Sequence, residues 1–171
     1  MTDRMIDYPP RPVARGLVLD PADRIFLIGY EAIRDLGGGA RRFWFMPGGG
    51  LEPGETYEQA LARELEEEIG VAGCSGPQVA WCDGRFGLFE KKRDGRERYF
   101  AVRLPDDRVD TARLAETESS PILETRWWTL DDLAATADRV EPAGLAALAR
   151  RVAAGDLPDE PVRLHWNPGA E

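Results

Sequence analysis

The chain has 171 residues, of which 43% are hydrophobic and 31% charged, so it can bury the core of one ordinary domain but not of two. Acidic residues outnumber basic ones by 31 to 22, and the net charge of −9 argues against binding of nucleic-acid polymers. No apolar run is long enough to span a membrane and the N-terminal residues contain no apolar signal core, so we expect a cytoplasmic protein that does not engage membranes.

The first part of the chain predicts strands separated by turns that are rich in glycine and proline. In chain order, the predicted elements are an irregular arm at 1–11, two strands at 13–19 and 24–30 around an Asp-Pro turn, a glycine-rich loop at 36–40 and a short buried strand at 43–46. The segment 47–50 then reads Pro-Gly-Gly-Gly, which lets the backbone turn sharply and approach a ligand closely.

A helix is predicted to follow the glycine segment. Thr56 and Gln59 have the spacing of a capping box, in which each side chain bonds the other residue's backbone N–H. Apolar residues then recur every fourth position, which predicts a stripe facing the core: Leu61, Leu65 and Ile69. Gly70 is the predicted end of the helix.

The remainder predicts more strands and then C-terminal helices, an order that suits an α+β protein with a mixed β-sheet. The predicted elements are strands at 79–82, 86–89, 98–104 and 125–130, an Asp-Gly turn at 94–95, a polar loop at 105–120, a short helix from 131, an amphipathic helix at 141–154 with Pro142 in its first turn, and an edge strand or ordered tail at 162–166. We expect one domain at 12–157 and a C-terminal tail at 158–171.

Three glutamates of the predicted helix share one face at its C-terminal end. Glu64, Glu67 and Glu68 stand at positions i, i+3 and i+4, where like charges repel by roughly 0.2–0.5 kcal/mol per pair. They also crowd the end of the helix at which its dipole favours cations. A compensating positive charge is therefore expected, and Mg²⁺ or Mn²⁺ suits a set of carboxylate oxygens.

The spacing around these glutamates is a recognisable pattern. From Gly49 to Val71 the chain reads Gly-x5-Glu-x7-Arg-Glu-(apolar)-x-Glu-Glu-x-Gly-(apolar) with no departure. This stretch resembles the Nudix box, the signature of the Nudix hydrolase superfamily. The resemblance implies the Nudix fold, an α/β/α sandwich in which the box forms a strand, a loop and a helix.

The resemblance also implies a reaction and a set of metal ligands. Nudix hydrolases cleave a nucleoside diphosphate linked to another group X, giving a nucleoside monophosphate and phosphorylated X. The implied metal ligands are Glu64, Glu67, Glu68 and the carbonyl of Gly48, and either Glu67 or Glu68 is the implied catalytic base. Glu55 and Arg63 are expected to form an ion pair that holds the loop and orients these ligands.

Further site residues are predicted with less support from the pattern. In several relatives a glutamate on a later loop assists catalysis, and Glu118 is our choice, with Glu116 and Glu124 as competitors. Arg41 and Arg42, near the glycine segment, are predicted to meet substrate phosphates. Four tryptophans are interpreted as core residues: Trp44, Trp81, Trp127 and Trp128. Cys74 and Cys82 are interpreted as free thiols, although the sequence leaves a disulfide open. His165 has no partner motif and receives no chemical role.

The expected protein is a pyrophosphohydrolase of a small nucleotide-type substrate, with no subclass of substrate indicated. Two alternatives remain open: a Nudix module that senses nucleotides without turnover, and isopentenyl-diphosphate isomerase, which would need a catalytic cysteine. A homodimer is expected only by analogy with relatives.

Overall fold

A computed structural model describes residues 8–117 and 120–171, which contain nine strands and four helices. The strands are β1 (Pro10–Leu19), β2 (Ile25–Glu31), β3 (Arg42–Phe45), β4 (Gly48–Gly50), β5 (Gln78–Phe86), β6 (Arg93–Arg103), β7 (Ile122–Trp128), β8 (Arg139–Val140) and β9 (Val162–Arg163). The helices are α1 (Tyr57–Ile69), α2 (Leu114–Thr117), α3 (Leu130–Ala135) and α4 (Leu145–Ala153).

The strands form one mixed sheet in the order β8-β3-β2-β1-β6-β5-β9, with β4 beside β1 and β7 beside β2. β1 runs parallel to β6 along its whole length, and the pairs β3–β8 and β5–β9 are also parallel. Helix α1 covers one face of this sheet, whereas α3 and α4 cover the other. The predicted α+β class, an α/β/α sandwich with a mixed sheet, is therefore confirmed.

Helix α1 begins and ends where the sequence predicts. The Thr56 hydroxyl accepts from the backbone N–H of Gln59, and the Gln59 side chain accepts from the N–H of Thr56, which completes the capping box. The predicted apolar stripe is buried in the core. Gly70 ends the helix in the left-handed region at φ 71°, a conformation that glycine adopts without strain.

The predicted Asp-Gly turn at residues 94–95 is wrong, because both residues lie inside β6. The Asp94 N–H donates to the Pro9 carbonyl at 3.1 Å, and Gly95 stands opposite Gly84 of β5. Pairing with a neighbour on each side therefore overrides the local turn signal. For the same reason β1 begins at Pro10, inside the predicted arm, and β5 is one continuous strand that ends at Phe86.

The predicted helix from residue 141 is also shorter than expected, since α4 begins at Leu145. The backbone before it is used otherwise: the Glu141 N–H donates to the Trp44 carbonyl at 2.9 Å, and the Ala143 N–H donates to the His165 carbonyl at 2.8 Å. Pro142 therefore lies before the helix and not in its first turn.

The predicted C-terminal tail packs against the same sheet. The Trp166 ring lies 4.7 Å from the Phe86 ring between centroids, and the Gly87 N–H donates to the Ala170 carbonyl at 2.6 Å. Ala170 is buried. Leu164, Trp166 and Ala170 of the predicted tail therefore belong to the core of the domain.

Both cysteines are buried free thiols, as predicted. Burial raises the pKa of each, and for Cys82 the nearby charge of Glu97 raises it further. Trp44 and Trp128 pack edge to face in the core with centroids 5.0 Å apart. Within residues 8–117 and 120–171, no helix combines the length and apolar character needed to cross a membrane.

Candidate functional site

The glycine segment forms a short strand pressed against β1. Gly48 and Gly49 of β4 stand opposite Arg15 and Ala14. A Cβ added to Gly48 would lie 2.1 Å from the Ala14 carbonyl oxygen, and the residue has φ 142°, so only glycine fits. Because this segment has no side chains, other groups can contact its backbone directly.

Two glutamates of α1, Glu64 and Glu68, lie against β4. The Gly48 N–H donates to the Glu68 carboxylate at 2.7 Å, and this side chain is fully buried. The Glu64 carboxylate lies so close to Gly49 that an added Cβ would be 2.4 Å from it. Side-chain exposure rises from 14% at Glu64 to 30% at Glu67. The structure therefore places two of the three predicted carboxylates, those of Glu64 and Glu68, against this strand. The Glu67 carboxylate lies 3.5 Å from Arg63.

Arg63 ties the loop after β4 to this cluster. Its Nε and Nη2 donate to the two oxygens of Glu55 at 2.9 and 2.8 Å, which forms the predicted ion pair. Nη2 also donates to the Gly50 carbonyl at 2.9 Å. Nη1 donates to Glu64 at 2.9 Å and approaches Glu67 at 3.5 Å. One guanidinium thus balances charge on both the loop and the helix.

A family model, the NUDIX domain, matches residues 9–149. The chain belongs to the Nudix family. The resemblance carried by Gly49 to Val71, the Nudix box, is therefore confirmed over most of the chain.

Individual relatives show how far the likeness extends. The chain is 42% identical over 67 residues to 8-oxo-dGTP diphosphatase of Proteus vulgaris, covering 39% of this chain and 56% of that protein. It is 32% identical over 91 residues to mouse diphosphoinositol polyphosphate phosphohydrolase 3-alpha, covering 52% and 49%. The chain thus spans about half the length of these relatives. RNA pyrophosphohydrolase of Pelagibacter ubique is 26% identical over 146 residues, with 78% and 85% covered.

The fold is also that of solved Nudix structures. The MutT protein from Methanosarcina mazei Go1 superposes with a TM-score of 0.57 at 17% identity, over 88% of this chain and 98% of that one. At this level of identity the likeness establishes the fold alone.

The oxygen donors at the Nudix box suit a hard divalent cation. Among the residues that the structure describes, no three acidic, histidine or cysteine side chains already stand as a finished set of metal ligands. The fit lies in the chemistry: Glu68 accepts from the Gly48 N–H, and the Glu64 carboxylate occupies the space that a Cβ at residue 49 would fill. Arg63, bonded to one carboxylate and near a second, holds positive charge where a cation would otherwise be needed.

The pairing with Arg63 gives Glu55 an unusual acidity. Hydrogen bonds from Arg63, and then from the Glu52 N–H at 2.6 Å, lower the pKa of Glu55 from 4.5 to about 2. The same pair raises the pKa of Arg63, which stays charged. A carboxylate whose pKa is lower in the folded state contributes stability above about pH 4.5, and this stability is lost as the pH falls toward about 2.

We therefore expect Glu55→Gln to weaken the acid dependence of stability. In urea unfolding between about pH 5 and pH 2, the midpoint of this variant should fall less steeply than that of the wild type. Glu58→Gln is the matched control, because Glu58 is an exposed glutamate of the first turn of α1. Parallel wild-type and Glu55→Gln profiles would show that the ion pair adds nothing to acid stability.

The loop glutamate predicted to assist catalysis, Glu118, lies outside the described residues, so its role stays a prediction. Of its competitors, Glu116 is exposed on α2, which lies beside α1. Glu124 of β7 accepts from Arg42 at 2.8 Å. Its carboxylate is thus engaged with a residue of β3 rather than with the Nudix box.

The structure places the two predicted phosphate-binding arginines away from the carboxylates. Arg42 begins β3, whereas Gly48 follows its other end, and the strand alone separates Arg42 from Phe45 by about 10 Å. Arg41 donates to the Ala32 carbonyl through Nε and Nη2. Both arginines line a cavity of about 800 Å³ whose other walls include residues between α3 and α4. Their role toward phosphates remains a prediction.

One buried polar group next to β4 was not predicted from the sequence. Arg15 of β1 is buried, and its Nε donates to Glu97 of β6 at 2.9 Å. The Tyr99 hydroxyl donates to the same carboxylate at 2.9 Å. Burial lowers the pKa of Arg15, but the charge and hydrogen bond of Glu97 outweigh it and raise the pKa overall. A charged residue inside the apolar run 13–19 was the available signal.

Proposed function

We propose that this Nudix chain is a metal-dependent pyrophosphohydrolase of nucleoside diphosphate derivatives. The observation that carries the proposal is the contact of Glu64 and Glu68 with the bare strand Gly48–Gly50, where the Gly48 N–H fixes Glu68. Glu67 lies on the same face of α1. This arrangement puts three carboxylates on one helical face, and carboxylate oxygens are the ligands that hard divalent ions prefer. The ion pair of Arg63 with Glu55 holds the loop after β4 against α1.

The proposed ligands are Glu64, Glu67, Glu68 and the Gly48 carbonyl, and the proposed ion is Mg²⁺ or Mn²⁺. When bound, such an ion neutralises phosphoryl oxygens and makes water more acidic. Buried Glu68 is held in one orientation by its bond to Gly48, which suits a ligand. Glu67 is the most exposed of the three and has only a long contact with Arg63, which suits a group that takes a proton from the attacking water.

The proposed reaction is water attack on phosphorus. The water oxygen forms the new P–O bond, the anhydride P–O bond breaks, and its electron pair leaves on the departing phosphate oxygen. The water proton passes to Glu67, with Glu68 or Glu118 as the alternative acceptor. The products are a nucleoside monophosphate and phosphorylated X.

A small nucleotide is a better substrate for this protein than a nucleic-acid polymer, because the net charge is −9. The relative named for 8-oxo-dGTP supports testing nucleotides with a phosphoanhydride bond first. A cytoplasmic location and a homodimer complete the proposal. The isomerase alternative is disfavoured, since Cys74 and Cys82 are buried and their raised pKa keeps them protonated.

The test is a panel of substrates with Mg²⁺ or Mn²⁺ in ¹⁸O-labelled water. It contains 8-oxo-dGTP, ADP-ribose, a nucleotide sugar, a dinucleoside polyphosphate and isopentenyl diphosphate. We expect one ¹⁸O atom in a phosphate product of at least one nucleotide. Tight binding without turnover would indicate the sensing module, and an isomerised prenyl diphosphate would indicate the isomerase.

A further inference from the structure

We propose that Arg15 is a positioning residue of the carboxylate site: its guanidinium fixes the backbone of residues 46–48, against which Glu68 is held. The inference rests on the proposed function, because it concerns the placement of the proposed metal ligands. It assigns a task in that site to a buried residue outside the Nudix box.

The guanidinium of Arg15 bridges the sheet and the segment before β4. On one side Nε and Nη2 donate to the Glu97 carboxylate at 2.9 and 3.5 Å. On the other side Nη1 donates to the Met46 carbonyl at 3.0 Å. The centre of the guanidinium also lies 3.9 Å from the centroid of the Phe45 ring. All of these groups are buried, so each contact is made in a medium that strengthens it.

The backbone around Arg15 holds the same segment from β1. Arg15 stands opposite Gly48 in the antiparallel pairing of β1 with β4. The next N–H along β1, that of Gly16, donates to the Pro47 carbonyl at 2.9 Å. Three consecutive residues, 46–48, are thus each held by Arg15 or by the strand that carries it.

The bond from Gly48 transmits this placement to the carboxylates. The Gly48 N–H is the donor to Glu68 at 2.7 Å, so a shift of the segment 46–48 would move the point at which Glu68 is held. Supporting residues that orient metal ligands typically change metal affinity or activity 10–100-fold when replaced. Arg15 is placed to have an effect of this kind without touching the ion or the substrate.

A purely structural role would not explain why a charge stands at this position. Burying an arginine and a glutamate costs desolvation, and well-packed apolar residues often replace such pairs without loss of stability. Apolar residues cannot donate a hydrogen bond to the Met46 carbonyl. The anchoring of this carbonyl is therefore the contact that an apolar replacement of the pair would lose.

The test separates folding from positioning with the double variant Arg15→Met/Glu97→Gln, which removes this ion pair. Glutamine keeps an acceptor for the Tyr99 hydroxyl and leaves an amide oxygen near Arg93, a second buried arginine 3.5 Å from Glu97. Mn²⁺ affinity is measured by electron paramagnetic resonance, stability by urea unfolding, and kcat and KM on the best nucleotide of the panel. We expect the double variant to fold, with its stability reported by the unfolding midpoint. In the folded protein the Kd for Mn²⁺ should rise about 10-fold or more, and kcat should fall 10–100-fold with KM little changed.

Two further variants complete the design. Arg15→Lys keeps a charge near Glu97, but one ammonium cannot reproduce the fork that spans Glu97 and Met46, so we expect partial loss of Mn²⁺ affinity. The matched control is Asp20→Asn/Arg24→Met, which removes another arginine paired with a buried carboxylate at the far end of β1. This control should leave the Kd for Mn²⁺ within about 2-fold, well below the effect expected of a supporting residue.

The proposal would be overturned if both Arg15 variants kept the wild-type Mn²⁺ affinity and kcat. If the double variant does not fold, wild-type values in Arg15→Lys alone would overturn it. The Mn²⁺ measurement needs no turnover. A wild-type protein that binds Mn²⁺ and hydrolyses nothing would therefore refute the proposed function while still testing Arg15. A wild-type protein that does not bind Mn²⁺ would refute both.

Discussion

Glu68→Gln and Glu67→Gln are each expected to lower kcat about 10²–10⁴-fold, the scale expected for loss of a metal ligand or a general base. Glutamine keeps an oxygen that accepts from the Gly48 N–H, so the contact that places residue 68 survives. The lost quantity is the negative charge. We therefore expect both variants to unfold at urea concentrations close to that of the wild type.

The matched control is Glu66→Gln on the same helix. Glu66 is exposed and lies outside the carboxylate cluster. The kcat of Glu66→Gln should therefore stay within about 2-fold of the wild-type value, as expected for a solvated surface charge. Steady-state kinetics over a range of Mg²⁺ concentrations would distinguish the two proposed roles. Loss of a ligand should be partly restored by excess Mg²⁺, whereas loss of the base should not. Near-normal kcat in both variants would refute the site assignment.

Gly48→Ala should be the most destabilising single change at the site, with a loss of roughly 3 kcal/mol or more in the free energy of unfolding. The added Cβ would meet the Ala14 carbonyl oxygen at 2.1 Å and the Arg15 Cα at 2.6 Å, and both are backbone atoms that cannot rotate away. The residue would also be forced to keep φ near 142°. Urea unfolding of the purified variant measures the loss.

Gly54→Ala is the control that separates backbone strain from the clash. Gly54 also has a positive φ, 83°, but an added Cβ there would meet nothing within 4 Å. The free energy of unfolding of Gly54→Ala should fall by about 1 kcal/mol, the cost of the backbone conformation alone. Equal losses in the two variants would show that the close approach of β4 to β1 does not matter for stability.

The parts of the fold that depend on local chemistry could be predicted from the sequence. The capping box at Thr56, the stripe from Leu61 to Ile69 and the final Gly70 all act within one helix, so their spacing is sufficient. The Nudix box could be predicted for the same reason, because its carboxylates lie on one helical face.

The missed features depend on partners that are distant in sequence. Asp94 and Gly95 have the composition of a turn, but their pairing with β1 and β5 is decided by residues far along the chain. Arg15 meets Glu97 across 82 positions, and no local pattern predicts this contact. Arg42 is near the glycine segment in sequence, but an extended strand carries it to the opposite end of β3.

The position of Trp166 bears on any attempt to study a shorter piece of this protein. Its ring lies against Phe86 and, at 5.8 Å between centroids, against Phe45, two aromatic side chains that are themselves fully buried. The family match ends at residue 149, inside α4 and before β9. A fragment cut at that limit would expose both rings to water and invite self-association, although it would keep every residue of the Nudix box.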